Sequence, residues 1–183
     1  MDFGPGEQQL TWKHTITQCL SVKKRHFQEI GGFDTTLRRC QDIDFGYRAE
    51  QLGFDVRYLP QARAWHNHSL SLDQRCSVER RNQQGFAALF QKYPDLSNQM
   101  PHLVDKAPIN WQTDSPALIA RKFVRSLLAT KPARNGLRFS WRILIRATAP
   151  ERLLRSLYWK IVSSYQLLGY REGLRALSEN NPG

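Results

Sequence analysis

Two hydrophobic periods alternate along this chain, and the places where they switch mark its elements. Thr15 to Val22 reads as a strand, and Lys24 to Ile30 as a short helix. Gly31 and Gly32 follow it and suit the left-handed turn that closes a helix. Phe45, Ala49 and Leu52 share one face of a second helix over about Asp42 to Leu52, with Asp42 suited to its N-cap and Gly53 to its end. Asp44 and Arg48 stand four apart on that helix, a spacing at which they pair. Phe54, Val56 and Tyr58 then alternate with Asp55 and Arg57, the period of a half-buried strand. After Pro60 a further extended stretch carries Trp65, His66 and His68.

Ser71 and Gln74 form a capping-box pattern that opens a long helix running to about Tyr93 and stopping at Pro94. Pro101, Pro108 and Pro116 mark residues 96–116 as a linker. Beyond it, Ala117 to Ala129 and Glu151 to Leu168 read as amphipathic helices. In the second, Leu154, Leu157, Tyr158, Ile161, Tyr165 and Leu168 form a stripe opposite Arg152, Arg155 and Lys160. Leu137 to Arg146 satisfies both periods. Its apolar residues alternate like a strand while Arg138, Arg142 and Arg146 keep helical spacing, and helix is the reading adopted. Residues 1–10, rich in Gly, Pro and Gln, read as loose.

Composition changes this picture in one respect. At 183 residues, with 40% hydrophobic and 23% charged residues, the chain suits one core plus an extension. The net charge of +11 is unevenly placed, because Ala117 to Leu177 holds 13 Lys/Arg against 2 Asp/Glu and the remainder balances 14 against 14. Cys19, Cys40 and Cys76 are odd in number and widely spaced, which favours a reducing compartment over a disulfide framework. They also lack the C-x-x-C spacing of a structural zinc site. The first nine residues lack the basic and apolar regions of a signal peptide, and no apolar run approaches the ~20 residues that cross a bilayer.

Three separated motifs carry the chemistry. Ser21, Val22, Lys23, Lys24, Phe27 and Glu29 lead into Gly31, Gly32, Phe33 and Asp34. Gln41-Asp42-Ile43-Asp44-Phe45-Gly46-Tyr47-Arg48 follows, then Pro60, Ala62, Trp65, His66 and His68. In order and distance, over about residues 11 to 95, they resemble the acceptor-side half of a family 2, GT-A type glycosyltransferase. That resemblance implies an α/β fold, a partial GT-A domain over residues 1–95. The linker over residues 96–116 and a basic helical extension over 117–183 would follow it.

The same resemblance implies transfer of a sugar, with inversion, from a nucleotide diphosphate sugar to a glycan or lipid-linked acceptor, in polysaccharide synthesis at the envelope. Asp42 takes the place of the catalytic base, a role a carboxylate can fill; the alternative is that it only caps a helix. Gly32, Phe33, Asp34 and Gln41 fall in the sugar site, although a ring after two glycines is equally a core plug. Asp44 and Arg48 read first as a structural pair, although the resemblance also counts both among the substrate-binding residues, with Asp44 in reach of an acceptor hydroxyl. His66 and His68 fall where such enzymes complete the coordination of a divalent metal, Mg²⁺ or Mn²⁺, held chiefly by a D-x-D. Two departures stand out. Gln41 replaces the usual Glu, and the nucleotide-binding half with its D-x-D is expected upstream, where only some twenty residues lie. The chain therefore reads as the back half of an enzyme, with a missing N-terminal half as partner, or as a truncated product.

The basic tail suits a peripheral membrane surface, with Lys and Arg toward anionic lipid and Trp141, Tyr158, Trp159, Tyr165 and Tyr170 at the interface. The resemblance favours that surface over nucleic acid and places the protein in the cytoplasm, on the inner face of the membrane. A non-catalytic membrane- or nucleic-acid-binding module on a degenerate transferase scaffold is the alternative, and a solvated basic face on packed helices is the bland one.

Overall fold

The computed structural model describes residues 8–97 apart from 66 and 68, and residues 99–180. Helix makes up 66% of it, and the two described strands are three residues each, so the expected α/β character reduces to helices beside one small antiparallel sheet. The chain forms two compact units, residues 1–69 and 70–183. The division thus falls at 69/70, whereas the sequence suggested a break at 95/96.

In the first unit, strand β1 (Gln8–Leu10) pairs antiparallel with β2 (Val56–Tyr58), Leu10 opposite Val56. The segment read as loose therefore supplies a strand. Thr15 to Val22, read as a strand, instead holds a single 3₁₀ turn at Thr17–Cys19. A strand needs a neighbour for its backbone groups, and here the Thr15 hydroxyl bends the chain by reaching Trp12 O at 2.6 Å. Trp12 is buried edge-on against Tyr47, and its backbone N–H donates to Glu50 Oε2 at 3.1 Å.

Helix α1 (Lys24–Ile30) ends at Gly31, whose φ of 89° needs the freedom of glycine. Helix α2 spans Gln41–Gln51. Its N-cap is Cys40, at a left-handed φ of 64°, and not Asp42, which sits one turn position inside. Ile30, Phe45 and Ala49 are the buried core of this unit, with Leu20, Phe27 and Phe54 packed on it.

The second unit holds α3 (Leu72–Lys92), α4 (Pro116–Leu128), α5 (Lys131–Arg146) and α6 (Glu151–Asn180). The capping box forms as read, Ser71 Oγ accepting from Gln74 N and Gln74 Oε1 from Ser71 N. The most extensive packing is α3 on α6. Gly169 and Gly173 allow it, since a Cβ at Gly169 would stand 2.0 Å from Arg80 O and one at Gly173 2.7 Å from Ala87 Cβ. Cys76, Leu157, Ile161 and Val162 form the core between these helices, joined by Leu137, Trp141 and Leu144 of α5. Residues 96–116 are not a free linker. They make two 3₁₀ turns that bury Leu96 and Met100, and Asp114 Oδ2 holds the buried Lys122 ammonium at 2.6 Å. Among the described residues no helix is long and apolar enough to cross a membrane.

Candidate functional site

Arg48 organises the candidate site. Its Nε and Nη2 donate to Asp44 Oδ2 at 2.9 and 2.7 Å, as the four-residue spacing implied. The same guanidinium reaches back to α1, Nη1 donating to Ile30 O at 2.5 Å and Nη2 to Gly32 O at 2.6 Å. Ile30 O is a carbonyl left without a partner where α1 ends, and Gly32 O belongs to the turn beyond it, so one side chain caps α1 and ties the Gly-Gly-Phe-Asp turn to α2. Phe27, Phe33 and Phe45 meet beneath it with centroids 5.3 to 5.4 Å apart. A fork of this reach needs Arg, because Lys offers one ammonium and no planar pair of donors.

The clamp assigns structural work to two residues that the motif also placed in the sugar site. Asp44 is 0% exposed, so its carboxylate faces Arg48 and not an acceptor. Arg48 has every nitrogen engaged inside the unit. Asp34 Oδ1 accepts from Thr36 N at 2.8 Å and Thr36 Oγ1 at 2.6 Å, closing its own turn. Phe33 is part ring cluster and part surface, at 40% exposure. Gln41 and Asp42 open α2 and are half-buried.

Asp42 has two weak backbone partners among the described residues. Oδ1 accepts from Ile43 N at 3.0 Å and Oδ2 from Thr17 N at 3.5 Å. Burial, with the Asp42 carboxylate adding to it, pushes the neighbouring Cys40 thiol up to about 12. A thiol at a helix start is usually acidified; here burial wins, and Cys40 stays protonated near neutrality.

Thr15, outside the motifs, also shapes the site by packing on Gly46 of the acidic motif. Thr15 Oγ1 lies 2.9 Å from Asp42 O, and a Cβ on Gly46 would stand 2.1 Å from that Oγ1. Gly46 is therefore small so that the Thr15 segment can lie on the first turns of α2. Nothing in the local pattern points to Thr15, which is separated from Asp42 by 27 residues.

A hollow of about 660 Å³ opens elsewhere in this unit, walled by apolar residues such as Leu10, Ile16, Leu20 and Phe54 with His14, His26 and Asp55 among them. Asp42 and the other carboxylates of the motifs do not line it, although Ser21, Val22 and Lys23 of the first motif and Phe45 and Ala49 of α2 do. His66 and His68 lie outside the described residues. Among the described residues no three of His, Cys, Asp and Glu come together as metal ligands.

In the second unit the basic surface is not where the α6 stripe suggested. Leu157 and Ile161 are buried, and Leu154, Tyr158, Tyr165 and Leu168 are half-buried. Trp141 joins the same core, and Tyr170 is buried, which raises its phenol above the ordinary value. Of the aromatic residues read as interfacial, only Trp159 is mainly outside, at 53% exposure. Exposed apolar residues include Phe123, Val124 and Leu127 on α4, Phe139, Ile143 and Ile145 on α5, and Leu153 on α6. Pro116 to Pro150, which holds these two helices, has eight Lys/Arg and no Asp or Glu. Lys122, Arg125 and Arg138 have carboxylate partners, while Arg121, Lys131, Arg142 and Arg146 have none among the described residues.

No family model, curated protein or solved structure matches the chain. The transferase resemblance therefore rests on the three sequence motifs alone.

Proposed function

We propose that the first unit is the acceptor side of an inverting GT-A type glycosyltransferase, with Asp42 as its base. One observation carries this reading: Arg48 joins the Gly-Gly-Phe-Asp turn and the acidic helix start into a single piece, and of the two aspartates of that helix start it engages Asp44 and leaves Asp42 without a cation among the described residues. In the reaction an acceptor hydroxyl attacks the anomeric carbon as the bond to the nucleoside diphosphate breaks. Asp42 takes the hydroxyl proton, and the configuration inverts. A divalent metal, where such an enzyme holds one, neutralises the departing diphosphate. The described residues assemble no ligand set for it, and they contain no sheet beyond β1 and β2 to bind a nucleotide.

The test combines the chain with a complementing nucleotide-binding half and follows sugar transfer from a panel of nucleotide diphosphate sugars. Asp42→Asn should lower turnover by ~10²- to 10⁴-fold while the far-ultraviolet dichroism stays unchanged. Near-normal turnover in Asp42→Asn removes Asp42 from the mechanism. Micromolar binding of a nucleotide sugar to this chain alone would overturn the division of labour.

A second reading concerns the second unit, which we propose docks peripherally on an anionic membrane. The run from Pro116 to Pro150, basic without a single acid and carrying the exposed Phe139 and Ile143, favours it. Binding to anionic vesicles should weaken as salt rises but persist through apolar burial. A tail that ignores such vesicles yet binds duplex DNA with a steep salt slope would make the nucleic-acid module the better reading.

A further inference from the structure

A groove of about 680 Å³ runs between α4 and α6, and its walls differ from the rest of the basic surface. On α4 the wall is built by Arg121, Val124 and Leu128, and on α6 by Ser156, Lys160 and Ser163. Each set recurs at three-, four- and seven-residue intervals, so each is one stripe of its helix facing the other. Short side chains explain why the groove stays open, with Ala120 on one wall and the three serines 156, 163 and 164 on the other. Beside the opening, Arg171 Nη2 donates to Ser126 Oγ at 2.6 Å and holds the two helices together.

The charge in the groove is not cancelled. Arg125 is taken by Asp105 at 2.6 Å, and Gln166 by Glu79 at 2.8 Å. Arg121 and Lys160 have no carboxylate partner, and Ser156 and Ser163 no hydrogen-bond partner, among the described residues. Two cations and two hydroxyls thus converge on a cleft whose rim is apolar, with Val124 and Trp159 both more than half exposed. A phosphate monoester satisfies such a cluster better than a diester, since it carries about −1.5 to −2 charges near neutrality and three acceptor oxygens. Charge-assisted donors such as Arg and Lys favour it. An apolar rim continuous with exposed Phe123 and Leu127 suits the acyl region from which a lipid headgroup projects.

We infer that the α4–α6 groove is a headgroup site for a phospholipid bearing a terminal phosphate monoester, within the membrane-facing surface of the second unit. The inference rests on the membrane reading given above and adds selectivity to it. Diffuse attraction counts charge; this site counts the phosphate.

The experiment uses the full chain and vesicles containing phosphatidic acid or phosphatidylglycerol at matched surface charge. Wild type should bind the monoester vesicles about fivefold more tightly, and the preference should fall to about one in Arg121→Gln and in Lys160→Gln. Arg142→Gln, outside the groove, should weaken both kinds of binding alike and keep the preference. Soluble dihexanoyl phosphatidic acid should change the Trp159 emission, identified by its loss in Trp159→Phe, and inorganic phosphate at equal concentration should not. Equal binding to both vesicles, or a preference that survives Lys160→Gln, overturns the groove while leaving the membrane reading intact. Failure to bind any anionic vesicle overturns both. Inorganic phosphate as effective as the short lipid would assign the site to free phosphate, and duplex DNA that competes the short lipid off wild type and binds Lys160→Gln more weakly would assign it to nucleic acid; either overturns the lipid.

Discussion

Replacing Arg48 by Met tests the clamp that holds the candidate site together. Methionine keeps a long apolar stem but removes all the donors that reach Asp44, Ile30 O and Gly32 O. Asp44 is 0% exposed and would be left as a buried carboxylate without its cation. Breaking a buried pair by removing one partner costs ~3–5 kcal/mol. The two carbonyls add less, because Gly31 is exposed and Gly32 half-exposed, so water can reach that turn. A loss of about 3–5 kcal/mol is a large part of the ~5–15 kcal/mol that stabilises a whole domain. Hydrogen exchange read by mass spectrometry on peptides from residues 24–51 would report the loss locally. The companion variant, Asp44→Leu with Arg48→Met, removes both charges and should lie within ~1.5 kcal/mol of wild type, since an apolar pair of similar volume often replaces a buried ion pair at little cost. The single change should therefore be worse than the double. If Arg48→Met alone costs less than about 1 kcal/mol, or the double variant is the more damaged, the buried-pair argument is wrong.

Glycine contacts make a matched pair of predictions in the second unit: Gly169→Ala should destabilise it by ~1–3 kcal/mol because its Cβ meets Arg80 O at 2.0 Å, while Gly136→Ala, with nothing within 4 Å, should stabilise it by ~0.5–1 kcal/mol. Urea unfolding followed by dichroism checks both, and equal signs would refute the close approach. Lys106 is pushed down to about 8, first by burial and then by the Arg125 guanidinium, against 10.5 for the ordinary group. The unfolded chain therefore holds that proton more tightly, so stability should rise from about pH 8 to about 10.5, by roughly 2–3 kcal/mol from this group. Lys106→Met should flatten that rise and be the more stable protein at pH 7; an unchanged pH profile counts against it. Iodoacetamide at pH 8 should label the exposed Cys19 and spare Cys40 and Cys76, whose thiols burial raises to about 12 and about 11. Peptide mapping reads the result, and prompt labelling of Cys40 would refute its burial.

Most helices were legible because their signals are local. Gly31 ends α1, and Ser71 and Gln74 open α3, through groups within a few residues of each other, while the Ser115 cap of α4 was not read although it is equally local. The Asp44–Arg48 pair was legible for the same reason. Its further reach to Ile30 O and Gly32 O was not, since 18 and 16 residues separate them and no spacing rule links a guanidinium to a distant helix end. Cys40 carries no sequence mark of a cap. It takes that place because the chain enters α2 through a left-handed residue, which shifts Asp42 into the first turn.

Tertiary packing decided the rest. Thr15 to Val22 has strand-like composition, yet a strand forms only where another offers hydrogen bonds, and β2 pairs with Gln8–Leu10 instead. The apolar stripe of α6 weakens after Leu168, but the helix continues to Asn180 because Gly169 and Gly173 let α3 approach. The stripe itself was plain in the sequence, and its partner was not. Periodicity shows that a face must be covered; it does not distinguish a membrane from a neighbouring helix, because both remove the same apolar area from water. Here α3 and α5 cover it, and the apolar side chains that stay exposed include Phe123, Val124 and Leu127 on α4, Phe139 and Ile143 on α5 and Trp159 on α6.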